Sequence, residues 1–124
     1  MSEGAPLKPG GISIHVFDVS RGIAAKGLRV ELNGPDGKLL ASGSINASGV
    51  LAHPTMQGEG IVATGMYEAV FHVGEWYRAE GMPIPSPAFL ESVPYHFGVA
   101  DIAQHYHLPL KMTPWGFSLF RGGA

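Results

Sequence analysis

Two histidines, His105 and His107, stand two residues apart in HYHLPLKMTPWGFSLFRGGA, the last twenty residues, and a third, His15, lies in the alternating stretch GISIHVFD. A neutral imidazole, with a reference pKa of about 6.5, can take a proton from water near neutral pH. Residues i and i+2 of a strand share a face, so the same three rings could also ligate a zinc ion. Arg121 in the tail could fork two hydrogen bonds onto a planar anion. The chain has no cysteine, so thiolate chemistry and disulfides are excluded. Dinucleotide, Walker and nucleophile-elbow patterns are absent. MQGEGIVATG is glycine-rich but lacks the strand-to-helix context of a phosphate loop. His72 and His96 read as structural, and Asp18 and Glu31 suggest no paired-carboxylate site.

The elements that must position these groups are short. In GISIHVFD (11–18), Ile12, Ile14 and Val16 share one face and Ser13, His15 and Phe17 the other. LRVELN (28–33) and KLLASGSI (38–45) predict two further strands, divided by the turn NGPDG and followed by the turn NASG. MYEAVFHV (66–73) alternates as a strand. GEWYRAEG (74–81) is the one helix expected, closed by Gly81 at its C′ position. ESVPYHFGV, HYHLPLKM and WGFSLF predict three more strands. HPTMQGEGIVATG (53–65) holds at most a short strand and a loop.

Eighteen glycines and ten prolines cut 124 residues into such pieces, which predicts an all-β two-sheet sandwich. In HYHLPLKM the core face falls to Tyr106, Leu108 and Leu110, and in WGFSLF to Trp115, Phe117 and Leu119. One outer surface then gathers His15, Phe17, His107, Pro109, Lys111, Ser118 and Phe120. A solvated sheet face would rather carry Thr, Lys and Glu, so this apolar, histidine-bearing one is expected to be an interface or a site.

The net charge is −2, without a basic block, so nucleic acid is not an expected partner. No apolar run approaches the roughly 20 residues that cross a bilayer, so neither is a membrane. Residues 1–10 read as a flexible arm rather than a secretory signal, residues 11–124 as one domain, and the cytoplasm as the location.

SIHVFDVSRGIAAKGLRVEL, YEAVFHVGEWYRAEG, FLESVPYHFGVAD and HYHLPLKMTPWGFSLFRGG together resemble the 5-hydroxyisourate hydrolases, or transthyretin-like proteins, in order and with similar spacing over residues 11–123. The resemblance implies a transthyretin-like β-sandwich with one short helix, assembled as a homotetramer, a dimer of dimers. Sites lie in its central channel, where water opens the ring of a small-molecule substrate, 5-hydroxyisourate, in urate breakdown, with no metal and no cofactor. His15 matches the family's first-strand histidine and His107 the second histidine of its HYH motif, so these two are the expected catalytic residues. His105 is then left to packing or hydrogen bonding. The tail, Phe120, Arg121, Gly122 and Gly123, matches a family Tyr-Arg-Gly-Ser and is expected to bind substrate, with Ser118 facing outward beside it.

Three positions depart from the pattern. Phe120 replaces tyrosine and Gly123 replaces serine. Val50, in Ser48-Gly49-Val50, stands where the family has arginine, and no Lys or Arg occurs between Lys38 and Arg78. Lys111, about 13–14 Å along the strand from His107, is one candidate to restore positive charge from across the channel, and His53 is another. A less anionic, N-alkylated relative of 5-hydroxyisourate would equally suit Val50 and Phe120. The alternative of another class is a non-catalytic protein that binds a small molecule in the same channel.

Overall fold

The computed structural model describes residues 10–53 and 63–122. Among them the chain runs β1 (Ile12–Asp18), β2 (Ile23–Ala24), β3 (Arg29–Asn33), β4 (Leu39–Ser44), β5 (Gly65–Phe71), α1 (Val73–Ala79), β6 (Val93–Val99), β7 (Tyr106–Met112) and β8 (Phe117–Leu119). Two four-stranded sheets form, in the orders β2-β1-β7-β8 and β4-β3-β5-β6. The expected sandwich with one short helix is what the chain adopts. Most of the stretch 53–65, which resisted reading in the sequence, lies outside the described residues, as does nearly all of the N-terminal arm.

The alternation read in the sequence becomes the two sides of each sheet. Ile12, Ile14 and Val16 of β1 and Leu108, Leu110 and Met112 of β7 are buried against Val30 and Leu32 of β3 and Tyr67, Ala69 and Phe71 of β5. Val73, Trp76 and Tyr77 of α1 join this core. Gly81, at φ +85°, ends the helix where its amide donates back to the Arg78 carbonyl.

β1 and β7 pair in parallel, far apart in sequence. Ser13 stands opposite His107, His15 opposite Pro109, and Phe17 opposite Lys111. Parallel pairing needs a long crossover, here the entire second sheet and the helix.

The core assignment fails for Trp115 and Phe117, which are 63% and 43% exposed. Phe117 does pair with Met112, so its parity is as expected. However, β8 is a three-residue edge strand, and cover by the opposing sheet thins there. Trp115 lies in a tight turn in which its own amide and that of Gly116 donate to Thr113 Oγ1. Leu119 alone of the three packs against the core.

Among the described residues one carboxylate is fully buried. Asp18, at the end of β1, accepts hydrogen bonds from the Ser20 amide and hydroxyl and from Arg21 Nε at 2.7 Å. Burial pushes its carboxyl up, but the Ser20 and Arg21 donors outweigh burial and hold it below its usual 3.8. The stability this gives is present above that usual value and is lost as pH falls through the lowered one. Asp18→Ala is expected to lower the urea-unfolding free energy by about 2–4 kcal/mol at neutral pH. The gap to the parent chain should narrow in acid below 3.8.

Candidate active site

The turn after β4 is built by Asn46, whose side-chain oxygen accepts the amides of Ser48 and Val50. Its backbone amide donates to the Val50 carbonyl, and its carbonyl accepts the Gly49 amide. The turn is fastened to β1 by Val16 N–H to the Gly49 carbonyl and Leu51 N–H to the Ile14 carbonyl. Val50 thereby pairs with His15 in an isolated bridge. The position where the family arginine would stand is thus brought directly beside the first-strand histidine.

His15 is held by that turn. Its Nε2 donates to the Ser48 carbonyl at 2.9 Å. Gly49, at φ +87°, lies so close that a Cβ there would sit 3.0 Å from the His15 ring, a reason for glycine beyond its backbone angle. On its other side His15 packs on Phe17, with ring centroids 4.6 Å apart.

His107 comes from the neighbouring strand, and its ring lies edge-on to that of His15 at 5.9 Å. Its backbone carbonyl accepts the Gly122 amide at 2.8 Å. A Cβ on Gly122 would fall 2.5 Å from His107 Cδ2, so tail and imidazole are in close contact. Ser13 lies opposite His107, and its hydroxyl bridges two rings, reaching His107 Nδ1 at 2.6 Å and His105 Nε2 at 2.8 Å. His105 Nδ1 completes this set against the Gly10 carbonyl at 2.9 Å. Partial burial, helped by the positive charge that His15 and His105 carry when protonated, holds the His107 pKa below its usual 6.5.

Val50, His15 and His107 are therefore gathered together, with Gly122 against them. Lys111 shares their face and sets its ammonium 5.8 Å from the centre of the half-exposed Phe120 ring, with exposed Ser118 opposite it in register. Arg121 turns elsewhere. Its guanidinium stacks 4.1 Å over the Tyr106 ring and donates to Gln104 Oε1 and the His105 carbonyl. There it lines a cavity of about 340 Å³, together with Tyr95, Phe97, Leu108 and Phe120. Gly123 lies outside the described residues, and His53 is half-buried beyond the Val50 bridge. Among the described residues no group of three His, Asp or Glu side chains is arranged to hold a metal ion. Ser13 was not singled out in the sequence; its parity with His15 was visible, but the strand lying beside it was not.

The HIUase/Transthyretin family matches residues 12–122. The chain is 43% identical over 118 residues to "5-hydroxyisourate hydrolase 2" of Rhizobium meliloti, covering 93% of this chain and 98% of that protein. A crystal structure of (S)-allantoin synthase superposes with a TM-score of 0.83 at 30% identity, over 93% of this chain but only 44% of that longer one. Sea bream transthyretin in complex with thyroxine shares the fold, with a TM-score of 0.75 at 19% identity over 91% and 95% of the two chains.

The lowered pKa has a measurable sign. Titration of the imidazoles by NMR should place the His107 midpoint below 6.5. Because the unfolded chain binds that proton more readily, stability should fall as pH drops from about 6.5 through the lowered value. Gly122→Ala should displace the His107 ring, seen as a shift of its Cδ2–H resonance, while the unfolding free energy changes by less than about 1 kcal/mol, because the half-exposed tail and ring can shift without opening the core.

Proposed function

Since this chain belongs to the HIUase/Transthyretin family, we propose that it is a hydrolase that opens the ring of 5-hydroxyisourate or of a modified, N-alkylated relative. The observation that carries the reading is the meeting of His15 and His107 at 5.9 Å on one sheet face, against the backbone of the turn at Gly49 and the tail at Gly122.

In this reading His107, held neutral at physiological pH, takes a proton from water as the water oxygen adds to a ring amide carbonyl. The carbon–nitrogen bond then breaks, and the leaving nitrogen receives a proton from the imidazolium so formed. His15 orients water and substrate. Phe120, Ser118, Lys111, Gly122, Gly123 and Val50 make up the substrate contacts, whereas Arg121, expected among them, is held on the Tyr106 side. Val50 offers no fork for an anion; replacing a charge-stabilising donor commonly costs on the order of 2–4 kcal/mol in the transition state. Lys111 supplies positive charge from a neighbouring subunit, or the substrate itself carries less charge. An exposed face bearing Phe120 and the histidines is covered by further copies in a homotetramer, a dimer of dimers. We place the protein in the cytoplasm; no helix among the described residues is long and apolar enough to cross a membrane.

The carrier reading rests on the apolar Val50 and Phe120. It is disfavoured because transthyretin matches at 19% identity, which speaks for fold alone, whereas the hydrolase from Rhizobium meliloti matches at 43%. A carrier also has no use for the imidazole pair.

The deciding assay follows freshly generated 5-hydroxyisourate and its N-methylated analogues, with and without the protein. Ring opening above the spontaneous rate is expected on at least one of them. His107→Ala should lower kcat/KM by about 100–10,000-fold. A parent protein no faster than buffer on every analogue, or a His107→Ala variant as fast as the parent, would overturn the reading.

A further inference from the structure

We infer that Ser13 and His105, anchored on the Gly10 carbonyl, are positioning residues that fix the tautomer of His107 and leave its Nε2 as the basic nitrogen. The inference rests on the hydrolase reading for its catalytic consequence, but not for the tautomer itself. It follows from counting hydrogens along one chain of contacts.

A backbone carbonyl can only accept, so the 2.9 Å contact between Gly10 O and His105 Nδ1 requires the hydrogen on Nδ1. A neutral His105 then has only a lone pair on Nε2. The 2.8 Å contact from that nitrogen to Ser13 must be made by the serine hydrogen. Ser13 has one hydrogen and has now used it. At the 2.6 Å contact to His107 Nδ1 the hydroxyl can therefore only accept, and His107 must donate. Neutral His107 thus carries its proton on Nδ1 and a lone pair on Nε2. That is the opposite of the form a free histidine side chain favours, so the arrangement has to be imposed.

The same counting gives His15 the other tautomer. Its Nε2 faces the Ser48 carbonyl at 2.9 Å and must be protonated, leaving Nδ1 bare. The two rings that meet edge-on thus present unlike nitrogens for proton traffic, one set by a turn and the other by the β1–β7 pair. The order of control along the second chain is Gly10, His105, Ser13, His107. The last member alone is catalytic in the proposed reaction; the others act through it.

The test uses ¹⁵N-histidine-labelled full-length protein at a pH above the imidazole titrations, where two-bond nitrogen–proton correlations identify which nitrogen is protonated. Parent His107 is expected to show a protonated Nδ1 and a bare Nε2. Ser13→Ala should move it toward the Nε2–H form and lower kcat by about 10–100-fold with KM held within about twofold. Ser13→Thr, which keeps the hydroxyl, should restore both. A parent His107 that carries its proton on Nε2 overturns the inference, and needs no variant that might misfold. So does a Ser13→Ala variant with the parent tautomer, or one with the tautomer changed and kcat intact. Absence of ring opening in the parent protein would strike the hydrolase reading instead, leaving the nitrogen assignments to be judged by the spectra.

Discussion

The parallel, in-register pairing of β1 with β7 is the constraint on which the site depends. It sets Ser13 beside His107 and leaves His15 one step further along, so that three polar side chains from opposite ends of the sequence share one side of a sheet. A slip of one residue would turn the whole polar row of one strand into the core. The buried rows Ile12, Ile14, Val16 and Leu108, Leu110, Met112 oppose such a slip, since each is buried completely or nearly so. The energy of the apolar side thus fixes the geometry of the polar side.

How much of this was legible in the sequence depended on the range of the interaction. The helix was legible because Gly81 marks its end within one turn. The faces of β1 and β7 were legible because alternation is a property of neighbours. The partnership of those two strands was not, since nothing in GISIHVFD specifies whether it lies beside HYHLPLKM or elsewhere, and for that reason Ser13 carries no mark in the sequence of the contacts it makes. Trp115 and Phe117 show the complementary limit. Period-two alternation assigns a side of the sheet, but burial also requires a second layer opposite, and that cover thins beyond the three residues of the β8 edge strand. The placement of Val50 beside His15 came from the family resemblance, and the Asn46 turn supplies its physical basis.

Electrostatically the His15–His107 surface is unusual for its sparing use of charge. A fully buried carboxylate, Asp18, is at the far end of β1 and is answered by Ser20 and Arg21. Arg29–Glu75 and Arg78–Glu91 pair on the helix side. The imidazoles instead face backbone carbonyls, a hydroxyl and each other, and for His107 partial burial beside the other two rings favours the neutral form. Arg121, the neighbour of Gly122, is held on the Tyr106 side by stacking on that ring and by Gln104 and the His105 carbonyl.

The turn at Asn46 separates two duties that are often carried by one side chain. Residue 50 holds its place through main-chain groups: its amide reaches Asn46 Oδ1 and its carbonyl accepts from Asn46 N–H. The hydrogen bonds that hold the turn therefore need no particular side chain there. Any residue with an amide hydrogen can make those two contacts, so the side chain carried beside His15 is set independently of the turn that carries it.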